Sequence, residues 1–150
     1  MENWGQSVTG IVIHEGRVLL VRHTYGAGQG KLVIPGGYVN QGEAPQEAVK
    51  REFMEETGVV VEPREIVGIR FNTHDWYVAF RADYVSGTPV SDASENSEVV
   101  WLDVEEALAR DDVPDLTKQL IDSARSSEKG LVCKPFEASP KYAPQSLFCL

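Results

Sequence analysis

The sequence predicts an α/β (α+β) fold in which helices pack against a mixed β-sheet, and two observations support this class. Residues 7–23, SVTGIVIHEGRVLLVRH, alternate around a Glu-Gly turn, as expected of a β-hairpin. Residues 45–57 follow a helical pattern instead, with Pro45 suited to the first helical position and Gly58 to the position just past the end. Sheet and helix therefore lie close together along the chain.

The remaining segments add strands and two helices. Strands are predicted in four segments rich in apolar, β-branched and aromatic residues: 32–35, 59–71, 75–85 and 97–102. The first of these is predicted to end at Pro35 and the Gly36-Gly37 pair. Helices are predicted at VEEALAR, capped by Asp103, and at LTKQLIDSAR, which begins at Asp115. The hydrophobic residues of the second helix are expected on one face.

Length and composition suit one globular domain. The chain has 150 residues, of which 42% are hydrophobic, and this is enough for one core but not for two. We therefore expect a single domain over residues 1–150. Residues 130–150 carry three prolines among aromatic residues and are expected to form a tail packed on that domain.

The acidic balance restricts the partners. A net charge of −9 opposes stable binding to nucleic acid or to an anionic membrane, so an anionic substrate must meet local cations. Two cysteines, Cys133 and Cys149, are too few for a disulfide framework. The first residues lack a signal-peptide pattern, and no run approaches the roughly 18 apolar residues of a membrane span. We expect a cytoplasmic protein.

Three glutamates in the run REFMEETG break local rules. At about 100° per residue, Glu52, Glu55 and Glu56 share one face near the end of the predicted helix. Like charges at these spacings destabilise a helix, and carboxylates near its C-terminus face the negative end of its dipole. Acidic clusters are often solvated faces, but a hard divalent cation such as Mg²⁺ would relieve this repulsion.

The residues around this cluster resemble the Nudix box. From Gly37 to Val59 the chain reads GYVNQGEAPQEAVKREFMEETGV: a glycine, five residues, Glu43, seven residues and then REFMEETGV. Every fixed position matches, and only the aliphatic position held by Phe53 departs mildly. The hairpin before the box and the strands and helix after it also resemble the Nudix-type α/β/α sandwich with a mixed sheet.

The resemblance implies Mg²⁺- or Mn²⁺-dependent hydrolysis of a nucleoside diphosphate linked to another group. It implies metal binding by the box glutamates and by a backbone carbonyl of the preceding loop: Glu52, Glu55, Glu56, and Gly36 or Gly37. Arg51 would hold a catalytic carboxylate by charge-assisted hydrogen bonds. Glu43 would tie the loop to the helix or complete the outer shell of the metal. Arg51, Glu52 and Glu55 are thus the catalytic candidates within the box.

A further glutamate is expected from the segment ASENSEVVWLD. Nudix relatives often supply one there, as an extra metal ligand or as the base for the attacking water. Glu98 lies three residues before Trp101, where a strand could direct its side chain back at the box helix. Glu95 lies deeper in a Ser/Asn-rich loop and is the alternative.

Candidate substrate-binding residues carry weaker signals. Two arginines at strand ends, Arg22 and Arg70, can meet phosphates, although such arginines are often solvated. Several aromatic residues can stack a base or belong to the core: Tyr25, Tyr38, Phe71, Trp76 and Tyr77. Of these, Tyr38 and Trp76 are our candidates for substrate contact.

Other functional classes fit less well. A P-loop would need GxxxxGK[ST], which AGQGK at residues 27–31 does not provide, and the chain has no EF-hand pattern. A non-catalytic Nudix-fold nucleotide-binding module stays open, because a fold does not guarantee an activity. The substrate itself is also open among ADP-ribose, nucleotide sugars, dinucleoside polyphosphates and nucleoside triphosphates. A homodimer is expected from two apolar edges, the amino-terminal hairpin and the tail.

Overall fold

The computed structural model describes residues 5–26 and 29–150, and its centre is a seven-stranded mixed sheet. The strands of this sheet are β1 (Gly5–His14), β2 (Arg17–His23), β3 (Leu32–Val33), β4 (Gly36–Tyr38), β5 (Val60–Phe71), β6 (Asp75–Ser86) and β7 (Asn96–Asp103). The helices are α1 (Pro45–Thr57), α2 (Val104–Ala109) and α3 (Asp115–Arg125), and a two-stranded ribbon of β8 (Val132–Lys134) and β9 (Leu147–Cys149) follows. The predicted loop at residues 24–31 includes residues 27–28, which lie outside the described residues.

Strand β1 lies in the middle of the sheet. It runs parallel to β6 and antiparallel to both β2 and β4, while β5 lies at one end beside β6. The predicted hairpin is present, since β1 pairs with β2 in antiparallel orientation. The two strands are joined by a left-handed turn at Glu15 and Gly16, which have φ values of 52° and 78°. The central place of β1 removes one reason for expecting a dimer, since the amino-terminal hairpin is not a free edge.

Alternation along the strands divides the core between two faces of the sheet. Val8 and Phe80 pack with Phe53 of α1 on one face. Ile11 packs with Ile121 of α3 on the other face. Because successive side chains of a strand point to opposite faces, β1 and β2 each supply residues to both layers. The predicted α+β sandwich is therefore confirmed, with α1 on one side and α2 and α3 on the other.

Three local expectations were wrong. Gly36 and Gly37 do not end a strand but begin β4, which pairs with β1. Asp103 lies at the start of α2 without a capping hydrogen bond from its side chain. Leu116 is 39% exposed, whereas Leu120 is 7% exposed, so the buried face of α3 is narrower than its pattern of leucines suggests.

The tail contacts the rest of the chain at two points. Leu131 forms an antiparallel bridge with Ile66 of β5, and the ring of Phe148 lies edge-on to Phe80 at 5.4 Å between centroids. Cys133 and Cys149 of the ribbon are free thiols. Among the described residues, no helix has both the length and the apolar character needed to cross a membrane.

Candidate functional site

Helix α1 positions the three glutamates at very different depths. Its N-terminus has Pro45 at the first position, and at its other end Gly58 adopts φ 73° and donates its N–H to the carbonyl of Met54. The helix has no basic residue in its last turn. The side chain of Glu55 is 58% exposed and that of Glu52 only 12%, while Glu56 is 5% exposed overall. The three glutamates predicted to share one face of the helix thus extend from solvent into the protein interior.

Arg51 links the carboxylates of this region. Its Nε and Nη2 donate to the two oxygens of Glu43 at 2.8 and 3.0 Å. Its Nη1 donates to Glu52 at 2.9 Å and to Glu55 at 3.2 Å, and Nη2 also reaches the carbonyl of Tyr38 at 3.0 Å. This planar fork joins α1 to the loop that precedes it, and hydrogen bonding to Arg51 lowers the pKa of Glu43.

The two glycines of β4 bring backbone close to the glutamates. A Cβ atom on Gly37 would lie 2.5 Å from Cδ of Glu52, so only glycine permits this approach. Gly36 donates its N–H to Oε2 of Glu56 at 3.3 Å, and a Cβ atom there would lie 2.2 Å from the carbonyl oxygen of Val8. The structure therefore places Gly37 beside Glu52 and Gly36 beside Glu56.

Glu56 is the most perturbed acid of the cluster. Burial raises its pKa to about 8, and the negative charges of Glu52, Glu95 and Asp92 act in the same direction. The hydrogen bond from Gly36 lowers the pKa but does not offset burial. Burial likewise raises the pKa of Glu52, in spite of its bond to Arg51. A buried carboxylate beside other acids is unfavourable unless a proton or a cation compensates it.

The loop before β7 is held against this cluster. Asn96 is buried, and its side-chain amide donates to the carbonyl of Glu56 at 2.9 Å. Asp92 Oδ1 accepts backbone hydrogen bonds from Glu95 and Asn96 at 3.0 and 3.1 Å. The N–H of Thr24 donates to the carbonyl of Glu95 at 3.1 Å. The loop thus brings the charges of Asp92 and Glu95 close enough to raise the pKa of Glu56.

Glu98 lies elsewhere. It is the cross-strand partner of Arg22 and accepts a hydrogen bond from Nε of that residue at 3.2 Å. Strand alternation groups Glu98 with Val100 and Leu102, which pack on the face of α2 and α3. The expectation that Glu98 points back at α1 is therefore not met. Arg22 also donates to Asp112 at 3.1 Å, so two carboxylates surround its guanidinium.

Arg70, the second predicted phosphate-binding arginine, is also engaged within the protein. It donates to Oδ1 of Asp75 at 2.7 Å and lies 5.3 Å over the ring of Tyr77. Asp75 is buried and accepts a second hydrogen bond from Ser7 at 2.9 Å. The bond to Arg70 lowers the pKa of Asp75. Arg22 and Arg70 would each have to leave a carboxylate before meeting a phosphate.

The predicted aromatic contacts are exposed rather than buried. Tyr38 is 55% exposed, and its ring edge lies against Gly5, where a Cβ atom would be 2.5 Å away. Trp76 is 50% exposed and meets Phe71 edge to face at 5.4 Å between centroids. Both residues therefore present ring surface to solvent, and neither is part of the core.

The donor set suits a hard divalent cation, although the side chains are not arranged around one. Among residues 5–26 and 29–150, no group of three acidic, histidine or cysteine side chains is placed so that it could hold a metal ion as it stands. Glu52 and Glu55 are turned towards Arg51, which acts as an internal counter-ion. Carboxylate oxygens remain the ligands that Mg²⁺ and Mn²⁺ prefer.

Asn96 was not predicted from the sequence. An ordered turn is indicated there by the spacing from Asp92 to Asn96. One oxygen of Asp92 accepts hydrogen bonds from the N–H groups of the residues that follow it. Nothing in the spacing indicates that the amide of Asn96 reaches the end of α1, since that contact joins residues 40 positions apart.

Comparison with known proteins agrees with this arrangement. The NUDIX domain family model matches residues 4–123. A MutT-like protein from Streptomyces ambofaciens is 39% identical over 107 residues, which cover 69% of this chain and 67% of that protein. An ADP-ribose pyrophosphatase from Methanocaldococcus jannaschii is 35% identical over 63 residues, which cover 42% of this chain and 37% of that protein.

A solved structure shows the same fold. The crystal structure of a MutT NUDIX hydrolase from Burkholderia pseudomallei superimposes with a TM-score of 0.72 at 20% identity, covering 81% of this chain and 98% of that one. The family match extends over strands β1 to β7, the box, and Glu52, Glu55 and Glu56 of α1. This chain therefore belongs to the NUDIX family of hydrolases.

Proposed function

We propose that the protein hydrolyses the diphosphate linkage of a nucleotide with Mg²⁺ or Mn²⁺ held by the α1 glutamates. The observation that carries the proposal is Glu56, a carboxylate 5% exposed beside the carboxylate of Glu52. Burial and mutual repulsion oppose ionisation of both residues, and the hydrogen bond from Arg51 to Glu52 does not offset the burial of that carboxylate. Such locally unfavourable placement is typical of functional sites.

The proposed ligands are the three glutamates and a backbone carbonyl of β4: Glu52, Glu55, Glu56, and Gly36 or Gly37. Arg51 bonds to Oε1 of Glu52, and both oxygens of this carboxylate lie beside Gly37. The exposed side chain of Glu55 can rotate away from Arg51 at little cost. When bound, the cation would neutralise the diphosphate and lower the pKa of a coordinated water.

The residues of the chain itself have separate tasks in this proposal. Arg51 fixes Glu52 and joins α1 to Glu43, so that the carboxylates keep their positions while charge develops on the substrate. We assign the proton-accepting role to Glu95 rather than Glu98, because the charge of Glu95 acts on Glu52 and Glu56. A carboxylate positioned near the attacking water serves as a general base.

The net charge of the chain and its relatives indicate a small nucleotide as the substrate class. With a net charge of −9, a small nucleotide is favoured over a nucleic acid. One relative is an ADP-ribose pyrophosphatase, so ADP-ribose is the first substrate to test. The panel should also contain a nucleotide sugar, a dinucleoside polyphosphate and a nucleoside triphosphate.

The test is hydrolysis of this panel by purified protein, measured as phosphate released after coupling to a phosphatase. We expect turnover of at least one compound with Mg²⁺ or Mn²⁺ and none in excess EDTA, with Glu52→Gln as the inactive control. Full activity in EDTA would contradict the metal-dependent mechanism. Nucleotide binding without turnover across the whole panel would favour the non-catalytic binding module.

A further inference from the structure

An aromatic pair that includes Tyr25 lies next to the loop that carries Glu95. The rings of His23, at the end of β2, and Tyr25, just after it, stack with 5.7 Å between centroids and 15° between planes. His23 is partly buried, whereas Tyr25 is 54% exposed. The stack therefore covers one side of the tyrosine ring and leaves half of the residue accessible to a ligand.

The backbone around this pair is fixed from two sides. The N–H of His23 donates to the carbonyl of Lys31 at 3.1 Å, and its carbonyl accepts from Gly30 at 2.9 Å. Thr24 donates its N–H to the carbonyl of Glu95 and its hydroxyl to that of Ser94, at 3.1 and 2.8 Å. Tyr25 follows directly on these anchors, which fix the backbone up to Thr24.

The loop before β7 links Tyr25 to the glutamates, because Thr24 donates its N–H to the carbonyl of Glu95 at 3.1 Å and Asn96 donates its side-chain amide to the carbonyl of Glu56 at 2.9 Å. Burial raises its pKa, and the charges of Glu95, Glu56 and Glu52 raise it further. The charge of Glu56 also acts on Tyr77, but that ring packs against the core with the Arg70 guanidinium over it. Between these two tyrosines, Tyr25 is the one that offers an accessible ring.

The same surroundings select the part of the substrate that can lie there. With the diphosphate held by a cation at the α1 glutamates, the part of the substrate that remains for the ring of Tyr25 is the nucleoside, whose base is neutral. Burial lowers the pKa of His23, so the imidazole behind the tyrosine is an uncharged aromatic ring. An aromatic face of this kind stacks on a nucleobase whatever its hydrogen-bonding pattern.

We infer that Tyr25, backed by His23, is the platform on which the nucleobase of the substrate stacks, while the diphosphate lies at the α1 glutamates. The inference rests on the proposed nucleotide function but assigns a different part of the substrate. It makes Tyr25 a specificity-determining residue that distinguishes nucleotides from phosphorylated sugars without a base.

The test compares AMP with ribose 5-phosphate, which differs from AMP in lacking the base. Their Kd values are measured by NMR titration in the presence of Mg²⁺ for the wild type, Tyr25→Ala and Tyr25→Phe. Phe136→Ala, which removes an exposed aromatic side chain of the tail, is the matched control. Binding is read without turnover, so a failure of the hydrolytic function does not hide the result.

We expect the wild type to bind AMP about 10–100-fold more tightly than ribose 5-phosphate, the usual range for stacking of one base. Tyr25→Ala should remove this difference by weakening AMP alone, whereas Tyr25→Phe and Phe136→Ala should keep it. Equal binding of both compounds by the wild type would overturn the inference. An unchanged affinity of Tyr25→Ala for AMP would also overturn it, as would an equal loss of affinity for both compounds in that variant. A loss of AMP affinity in Tyr25→Phe as large as in Tyr25→Ala would do the same.

Discussion

The carboxylate of Glu52 lies directly against the Cα atom of Gly37. A Cβ atom at position 37 would be 2.5 Å from Cδ and 2.6 and 2.7 Å from the two oxygens of Glu52. Arg51 holds one of these oxygens at 2.9 Å from the other direction. The Glu52 carboxylate is therefore fixed between a glycine and a guanidinium, and its position depends on the absence of a side chain at residue 37.

This contact predicts that Gly37→Ala reduces activity more than stability. The new methyl group would displace the Glu52 carboxylate, and a shift of about 1 Å in a catalytic group can cost about 100-fold in rate. The free energy of unfolding should change little, because the end of a flexible side chain can move. Steady-state kcat and urea unfolding are the measurements.

Gly68→Ala is the matched control for this variant. A Cβ atom at Gly68 would lie 2.6 Å from the side-chain end of Leu120, a contact of similar length that involves no residue of the glutamate cluster. Its kcat should stay close to that of the wild type. Equal losses of kcat in both variants would show that the effect of Gly37→Ala is not specific to Glu52.

The raised pKa of Glu56 predicts that the metal-free protein loses stability as the pH rises. Burial raises this pKa to about 8, above the unfolded value near 4.5, so between these pH values the folded state holds a proton that the unfolded state has lost. The stability contribution of the group is complete below about pH 4.5 and falls as the pH approaches 8. The full loss is at most about 5 kcal/mol.

Urea unfolding in EDTA at about pH 5, 6.5 and 8 measures this loss, because these pH values span the window between the pKa of Glu56 in the unfolded state and that in the folded state. Glu56→Gln should flatten the dependence and gain stability at the upper pH, and Mg²⁺ should stabilise the wild type there. Glu55→Gln, at a side chain 58% exposed, is the control and should keep the wild-type slope. A Glu56→Gln protein with the wild-type slope would contradict the assignment.

Arg51→Lys is expected to be harmful although the charge is kept. Arg51 donates to Glu43, Glu52 and Glu55 through a planar fork, and a lysine ammonium cannot match this geometry. We expect kcat to fall about 100-fold or more because Glu52 is no longer fixed. Stability should fall by about 2 kcal/mol, because partly buried charge-assisted bonds are lost.

Arg64→Lys provides the comparison for this substitution. Arg64 pairs with Asp83 at 2.7 Å, but both side chains are more than half exposed, so the exchange should be nearly neutral. Comparing kcat and the free energy of unfolding of the two variants separates the role of the fork from a general effect of replacing arginine. Equal behaviour of the two variants would argue against a special role for Arg51.

A homodimer remains a prediction, now with a different surface. Ile69, Phe71 and Trp76 are 44%, 62% and 50% exposed and lie at one end of β5 and β6, where β5 is the last strand of the sheet. Phe71→Glu should shift the mass in light scattering towards the monomer, whereas Val85→Glu, at an exposed position near the other end of β6, should not. A monomeric wild type at micromolar concentration would exclude the dimer.

The sequence predicts α1 well because its signals are local. Pro45 and Gly58 delimit the helix, and a period of 3.6 residues alone brings Glu52 and Glu56 to one side. Their unequal depth was not predictable, because it depends on the sheet strands and on Asn96, which comes from a distant segment. Local patterns thus define the element, while long-range packing sets the pKa values within it.

The choice between Glu95 and Glu98 shows the same limit. The sequence favours Glu98, because it lies three residues before Trp101 in a strand that could direct its side chain back at the box helix. The pairing of β2 with β7 shifts register between Arg22 and His23, and an irregularity of this kind leaves no trace in the residue pattern. Glu98 lies in the regular part of this pairing, opposite Arg22, while the loop that ends at the irregularity carries Glu95.

The two glutamates therefore make opposite predictions. If Glu95 accepts the proton of the attacking water, Glu95→Gln should lower kcat by about 10²–10⁴ with little change in KM. Glu98→Gln should keep kcat within about threefold, because surface ion pairs such as that with Arg22 contribute at most about 1 kcal/mol.

Both variants should be assayed at limiting and at saturating Mn²⁺. Recovery of the Glu95→Gln rate at high Mn²⁺ would make that residue a metal ligand and not the base. A large loss in Glu98→Gln alone, with a wild-type rate in Glu95→Gln, would reverse the assignment and require Glu98 to leave Arg22 when substrate binds.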